Sequence, residues 1–224
     1  MEELVENLKG LGVLKSPKII EAFLKVDRKD FVPKDMQNLA YLDQALSIGH
    51  GQTISQPYTV AFMFELLGPK AGDNIMDVGY GSGWATALLA HIVGERGKIY
   101  AFELVEELCH FGEENILKYP ELRERVILFC QDASAGVPDH SPANGFDGII
   151  SAAALSAANT HAQRGAEVLE VPPVWRKQLA VGGRLVYPKA GSLFREVKIG
   201  EGKFESEQHQ GFVFVPFVKN ERKF

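Results

Sequence analysis

The chain is short of several things, and each shortage narrows its chemistry. It has two cysteines, Cys109 and Cys130, in 224 residues. They are too few for a disulfide scaffold and sit in no CxxC or Cys/His ligand spacing, so zinc and redox roles are not indicated and reduced thiols in a cytosol are expected. No stretch reaches about 18 consecutive apolar residues, so none is expected to span a membrane. The opening MEELVENLKG is acidic and amphipathic, without the basic start and apolar run of a signal peptide. A basic excess is missing too: 24 Lys+Arg stand against 29 Asp+Glu, a net charge of −5. That argues against a dedicated nucleic-acid binder. The expectation is a cytoplasmic protein, monomeric because no coiled-coil pattern appears, with neither nucleic acid nor membrane as partner.

What is present is ordinary globular composition, 46 % hydrophobic and 24 % charged, in a length that suits one domain over 1–224. Three parts are legible: a helical segment (1–70), an α/β core (71–190) and a closing strand pair (191–224). Leu4, Val5, Leu8 and Leu11 recur at helical spacing. Ser16-Pro17 opens a second helix with Ile19, Ile20, Phe23, Leu24 and Val26 on its apolar face, Ser serving as cap and Pro in the first turn. Residues 27–57 read as turns, and 58–67 as a helix stopped by Gly68-Pro69. Strands are expected at Asn74–Val78, Lys98–Phe102, Arg125–Cys130, Phe146–Ala152 and Arg184–Tyr187, with helices at Trp84–Val93, Val105–Lys118 and Val174–Ala180 between them. Gly112 weakens its helix by about 1 kcal/mol relative to Ala. Alternation of this kind implies a doubly wound, mostly parallel sheet. Phe194–Ile199 and Phe204–Val215 flank the turn Gly200-Glu201-Gly202 and add an antiparallel edge. The Ala-rich connection Leu155–Pro173 is long for its place, and is read either as a lid over the carboxyl edge of the sheet, anchored by Val168, Leu169 and Val171, or as a surface insertion without a role.

Residues 77–83, Asp-Val-Gly-Tyr-Gly-Ser-Gly, end a strand and precede a helix. In parallel sheets ligands bind at such carboxyl ends. The spacing is G-x-G-x-G: a dinucleotide fingerprint would need glycine where Trp84 stands, and a P-loop would need a Gly-Lys-Ser/Thr that is absent. Asp77, Glu103 and Asp132 close three successive strands. Glu103 lies about 20 residues past the glycines, where an acid commonly binds a ribose hydroxyl. Such a rim suits S-adenosylmethionine, which carries an ammonium, a sulfonium, a ribose and an adenine amine but no phosphate.

At this point the chain resembles the class I methyltransferases that use S-adenosylmethionine. Upstream, Ala45–Pro57, with Gly51-Gln52-Thr53-Ile54-Ser55-Gln56-Pro57 at its heart, resembles the signature loop of the protein-L-isoaspartate O-methyltransferases. Val26-Asp27-Arg28, Phe31-Val32-Pro33, Ala40-Tyr41, Gly182–Val186 and Phe214-Val215-Pro216 resemble the same family, so the likeness runs from about residue 15 to 217. It implies a Rossmann-like seven-stranded sheet with an antiparallel C-terminal hairpin. It also implies an enzyme moving a methyl group from S-adenosylmethionine to the α-carboxylate of L-isoaspartyl residues, leaving S-adenosylhomocysteine, without metal. The ester then closes to a succinimide that hydrolyses partly to aspartate. Tyr80 stands where the family has a small residue, and Val213 where bacterial relatives carry Arg. These departures keep open a related carboxylate methyltransferase with another peptide or small-molecule substrate. A module that merely binds the adenosyl ligand is disfavoured by the intact Asp77 and glycines.

The implied chemistry needs few residues. A carboxylate with a pKa near about 4 is ionised at neutral pH, so no general base is required. Ser55 is the catalytic candidate, its hydroxyl aiming the substrate carboxylate. Thr53 and Ile54 line the sulfonium end. Asp77, Gly79, Gly81, Glu103, Asp132 and Ala133 hold the rest of the cofactor, and Ser55 and Val213 face the substrate. His50 is read as a loop anchor rather than a base.

Overall fold

The computed structural model describes residues 1–137, 141–155 and 170–215. Its elements, in chain order, are α1 (Glu2–Gly10), α2 (Pro17–Lys25), β1 (Leu46–Gly49), β2 (Gln52–Ile54), α3 (Pro57–Leu67), β3 (Asn74–Val78), α4 (Trp84–Val93), β4 (Lys98–Glu103), α5 (Glu106–Ile116), α6 (Pro120–Arg123), β5 (Val126–Cys130), β6 (Phe146–Ser151), α7 (Pro173–Gln178), β7 (Leu179–Lys189), β8 (Ser192–Gly200) and β9 (Lys203–Gln210). Seven strands form one sheet in the order β5-β4-β3-β6-β7-β8-β9. Pairing is parallel from β5 through β7 and antiparallel from β7 to β9. The order reverses at β3, so its carboxyl end is the switch point where open α/β sheets bind ligands.

Alternation along the strands divides the interior in two. Ile75, Ile99, Ala101 and Ile150 face a core shared with α1 to α5. Met76, Val78, Tyr100, Phe102 and Ile149 face a second core built with Leu155, Val171 and Trp175. Asp77 and Glu103 fall on the first face by the same period of two. Each is therefore carried under the helices at the ligand end of the sheet.

Several expectations are corrected. Residues 46–54 form a hairpin rather than turns alone, with Leu46 opposite Ile54 and Ser47 opposite Thr53. Its two-residue loop, His50-Gly51, has φ of 53° and 70°, the left-handed pair that matches the twist of a tight hairpin. Ser16 gives no side-chain cap to α2; its hydroxyl and amide donate to Glu65 of α3 instead. Leu11 and Leu24 are exposed. The strand expected at Arg184–Tyr187 is longer, β7 from Leu179 to Lys189, and Gly182-Gly183 lie inside it at a register shift against β6. The cysteines are not free thiols: Cys109 of α5 and Cys130 of β5 form a disulfide with Cα atoms 5.7 Å apart. The proposed lid falls on 156–169, outside the described residues, although its flanking Leu155 and Val171 are buried in the second core.

Candidate active site

The glycine turn is built by conformation. Gly79, Gly81 and Gly83 have φ of 82°, 49° and 87°, left-handed values that cost little only without a Cβ. The amides of Gly79 and Tyr80 both donate to the Phe102 carbonyl, and Gly83 N donates to the Tyr80 carbonyl, so the chain reverses directly into α4. Helix α5 lies hard against this turn. A Cβ on Gly112 would stand 2.5 Å from the Gly81 carbonyl oxygen and 2.7 Å from the Tyr80 ring. Gly112 is thus the close-approach residue of α5. The Tyr80 hydroxyl donates to the Cys109 carbonyl at 3.2 Å, and burial with the nearby Glu103 charge pushes its pKa up. Its ring borders the site but is pinned against α5.

The three acids behave differently. Asp77 is 2 % exposed and accepts a 2.6 Å hydrogen bond from Thr86 of α4. Burial pushes its carboxyl up to about 6; the Thr86 bond opposes this and the Glu103 charge adds to it. Glu103 accepts from three backbone amides: Leu104 and Val105 on one oxygen, Gly81 on the other. Since a carboxylate oxygen carries two lone pairs, the oxygen facing Gly81 keeps acceptor capacity for a ligand hydroxyl. Asp132 caps the short turn Ala133–Ala135 by accepting from Ser134 N, so it is both a cap and a cavity wall.

Two adjoining compartments meet at the turn. The larger, about 140 Å³, is lined by Ile48, Gln52, Thr53, Gly79, Gly81, Phe102, Glu103, Leu104, Asp132, Ala133, Ala153 and Val215. The smaller, about 50 Å³, is lined by Thr53, Ile54, Ser55, Asp77, Tyr80, Trp84 and Ala152 among others. Thr53, Gly79, Gly81 and Ala152 border both. The structure therefore brings every cofactor candidate to one or other of two adjoining compartments, with Ser55 beside Asp77 in the smaller. Val213 lies outside both: between the inward-packed Phe212 and Phe214 it is 81 % exposed. His50 sits exposed in the hairpin loop with Nδ1 3.9 Å from a Glu107 carboxylate oxygen. Ile48, Phe102 and Val215 are lining residues that motif reading missed. Phe102 had a signal, one residue before an acid at a strand end. Val215 is held at the wall by its carbonyl, which accepts from Ala154 N at 2.8 Å.

Among the described residues the walls carry acids and apolar groups, a lining that suits a cationic nucleoside. Among the described residues no group of three His, Cys, Asp or Glu could hold a metal ion. Fold and cavity together define the class, an S-adenosylmethionine-dependent methyltransferase on a Rossmann-like sheet.

Comparison narrows this further. The family model of protein-L-isoaspartate(D-aspartate) O-methyltransferase matches residues 1–222. A protein-L-isoaspartate O-methyltransferase of Methanopyrus kandleri is 37 % identical, covering 98 % of this chain and 92 % of that protein. One of Pyrococcus horikoshii is also 37 % identical, over 96 % and 90 % of the two chains. The Plasmodium falciparum protein-L-isoaspartate O-methyltransferase, crystallised with S-adenosyl-L-homocysteine, superposes with a TM-score of 0.81 at 25 % identity, covering 97 % of this chain and 98 % of its own. The chain belongs to the protein-L-isoaspartate(D-aspartate) O-methyltransferase family.

Proposed function

We propose that the protein methylates the α-carboxylate of L-isoaspartyl residues in damaged proteins and so starts their return to aspartyl. The observation that carries this is the seating of the Thr53–Ser55 loop against Asp77 and the glycine turn, in a chain whose family match is nearly complete. When bound, S-adenosylmethionine supplies a methyl group already activated by its sulfonium. The residues here bind and aim. Glu103 would take the ribose hydroxyls, Asp132 and Ala133 would bracket the adenine, and Asp77 would face the cationic end. Ser55 donates its hydroxyl to one carboxylate oxygen of the substrate and turns the other toward the methyl carbon. Such orientation is worth a large effective molarity. No proton leaves the nucleophile, so no base is needed, consistent with His50 lying at the surface.

Val213, exposed two residues before the cavity-lining Val215, gives the peptide an apolar contact outside the cavity. The enzyme acts as a cytoplasmic monomer on protein substrates, without nucleic acid or membrane. The Cys109–Cys130 bond pulls against that compartment, since a cytosol keeps thiols reduced except in hyperthermophiles. The deciding experiment is methyl ester formation on paired isoaspartyl and aspartyl peptides in chelator. Selective labelling of the isoaspartyl member supports the reading, and equal or absent labelling of the pair rejects it.

A further inference from the structure

We propose that Arg28 is the positioning residue of the Ser55 loop, clamping it to the glycine turn that holds the methyl donor. The inference rests on the reading of Ser55 given above. Arg28 is 0 % exposed, yet carbonyl oxygens rather than a carboxylate receive its hydrogen bonds. One terminal nitrogen donates to Ala40 O at 2.7 Å and Leu42 O at 3.4 Å. The other donates to Gln44 O at 2.9 Å and Ser55 O at 3.1 Å. Burial pushes the guanidinium down to about 10, while the Asp43 charge opposes the fall. It therefore remains a cation at neutral pH.

Burying a cation is costly, and an apolar side chain would fill a core position more cheaply. What the guanidinium provides is a planar fork of donors. That fork reaches four carbonyls spread over residues 40–55, a segment whose short hairpin cannot satisfy them. Asp43 completes the clamp from the other side: its carboxylate accepts from Tyr58 N at 2.8 Å and from Gln56 Nε2 at 3.1 Å. Ser55 is thus held at its own carbonyl by Arg28, and its neighbours Gln56 and Tyr58 are held by Asp43. The guanidinium also lies over the Trp84 ring, 5.3 Å from its centre. Trp84 is the first residue of α4, directly after Gly83, and borders the Ser55 end of the cavity. One side chain therefore spans from the substrate-facing loop to the donor-facing turn, and it touches neither ligand itself.

The test is Arg28→Lys, made alone and in a Ser55→Ala background, with Asp43→Asn made the same way. Lysine keeps the charge but is a point donor that cannot reproduce the fork. Four quantities are read: kcat and KM on an isoaspartyl peptide, S-adenosylhomocysteine affinity by calorimetry, and amide exchange across residues 52–58. The expected result is a kcat about tenfold or more lower, as for a small misplacement of a reacting group, with ligand affinity within about threefold and faster exchange of the loop. In the Ser55→Ala background the same change should lower kcat by less than about twofold, because residues acting as a unit are not additive. An equal loss in both backgrounds, or unchanged exchange and kcat, overturns the proposal. If Ser55→Ala alone runs at the wild-type rate, it is the Ser55 reading that fails. Should Arg28→Lys not fold, Asp43→Asn carries the same comparison.

Discussion

Replacing Gly112 by alanine opposes two effects of known size, and the structure decides between them. On helix propensity alone the change should stabilise α5 by about 1 kcal/mol. The new methyl, however, would lie 2.5 Å from the Gly81 carbonyl and 2.7 Å from the Tyr80 ring. Ordinary contact begins near 3.4 Å, so helix and turn must part by about 0.9 Å. Neither neighbour yields easily. Gly81 is backbone whose amide is tied to Glu103 at 2.9 Å, and the Tyr80 hydroxyl is tied to Cys109. Overpacking a buried contact costs about 1–3 kcal/mol, and such rigid neighbours put this site at the upper end. The net expectation is a loss of about 2 kcal/mol, a melting temperature lower by about 4–8 °C for a chain this long. Because the shift also strains the Gly81–Glu103 bond, S-adenosylhomocysteine affinity should fall about tenfold. Gly10→Ala is the control, since nothing lies within 4 Å of its Cβ; it should be neutral or slightly stabilising. Denaturant titration and calorimetry read both quantities. A Gly112→Ala protein as stable as wild type, with unchanged ligand affinity, refutes the close-approach argument.

Three further outcomes are expected. Ser55→Ala should lose roughly 1.5–3 kcal/mol of transition-state stabilisation, about 10- to 150-fold in kcat/KM, with cofactor affinity within a few fold by calorimetry. The folded pKa of Asp77, about 6, lies above the usual aspartate value, so its ionisation opposes folding. Stability of the ligand-free protein should therefore fall as pH rises from about 4 to about 6, by on the order of 3 kcal/mol, and an Asp77→Asn variant should lack that slope in pH-resolved denaturation. Calorimetry near pH 6 in buffers of different ionisation enthalpy should also register proton release as the cationic ligand binds, and identical heats would count against an ionising Asp77. Reducing the Cys109–Cys130 bond, which closes a loop of 21 residues, should cost about 3 kcal/mol and roughly 6–12 °C of melting temperature. Thiol titration of the unfolded protein before and after reduction checks the bond directly.

The parts that could be read along the chain are those whose cause is local. A strand, an acid, three spaced glycines and a helix follow one another from Asn74 to Val93, and parallel crossovers then bring Glu103 and Asp132 to the same edge without any further information. The signature loop likewise announced Thr53 to Ser55. The rest depended on distant segments meeting. Gly112 looked like a flaw in its helix until the glycine turn stood against it. Cys109 and Cys130 pair only because α5 packs beside β5, which no spacing rule states. Gly182-Gly183 lie inside β7 at the register shift between the Phe146–Leu179 and Gly148–Arg184 pairs, a bulge that only the neighbouring β6 defines. Arg28 carried only a family resemblance in the sequence, and its burial became visible once four carbonyls of a later segment converged on it. Periodicity and turn chemistry act over a few residues and are written in the sequence. Burial, close approach and the partner of a charge are set by which surfaces the folded chain brings together, and those the tertiary structure alone decided.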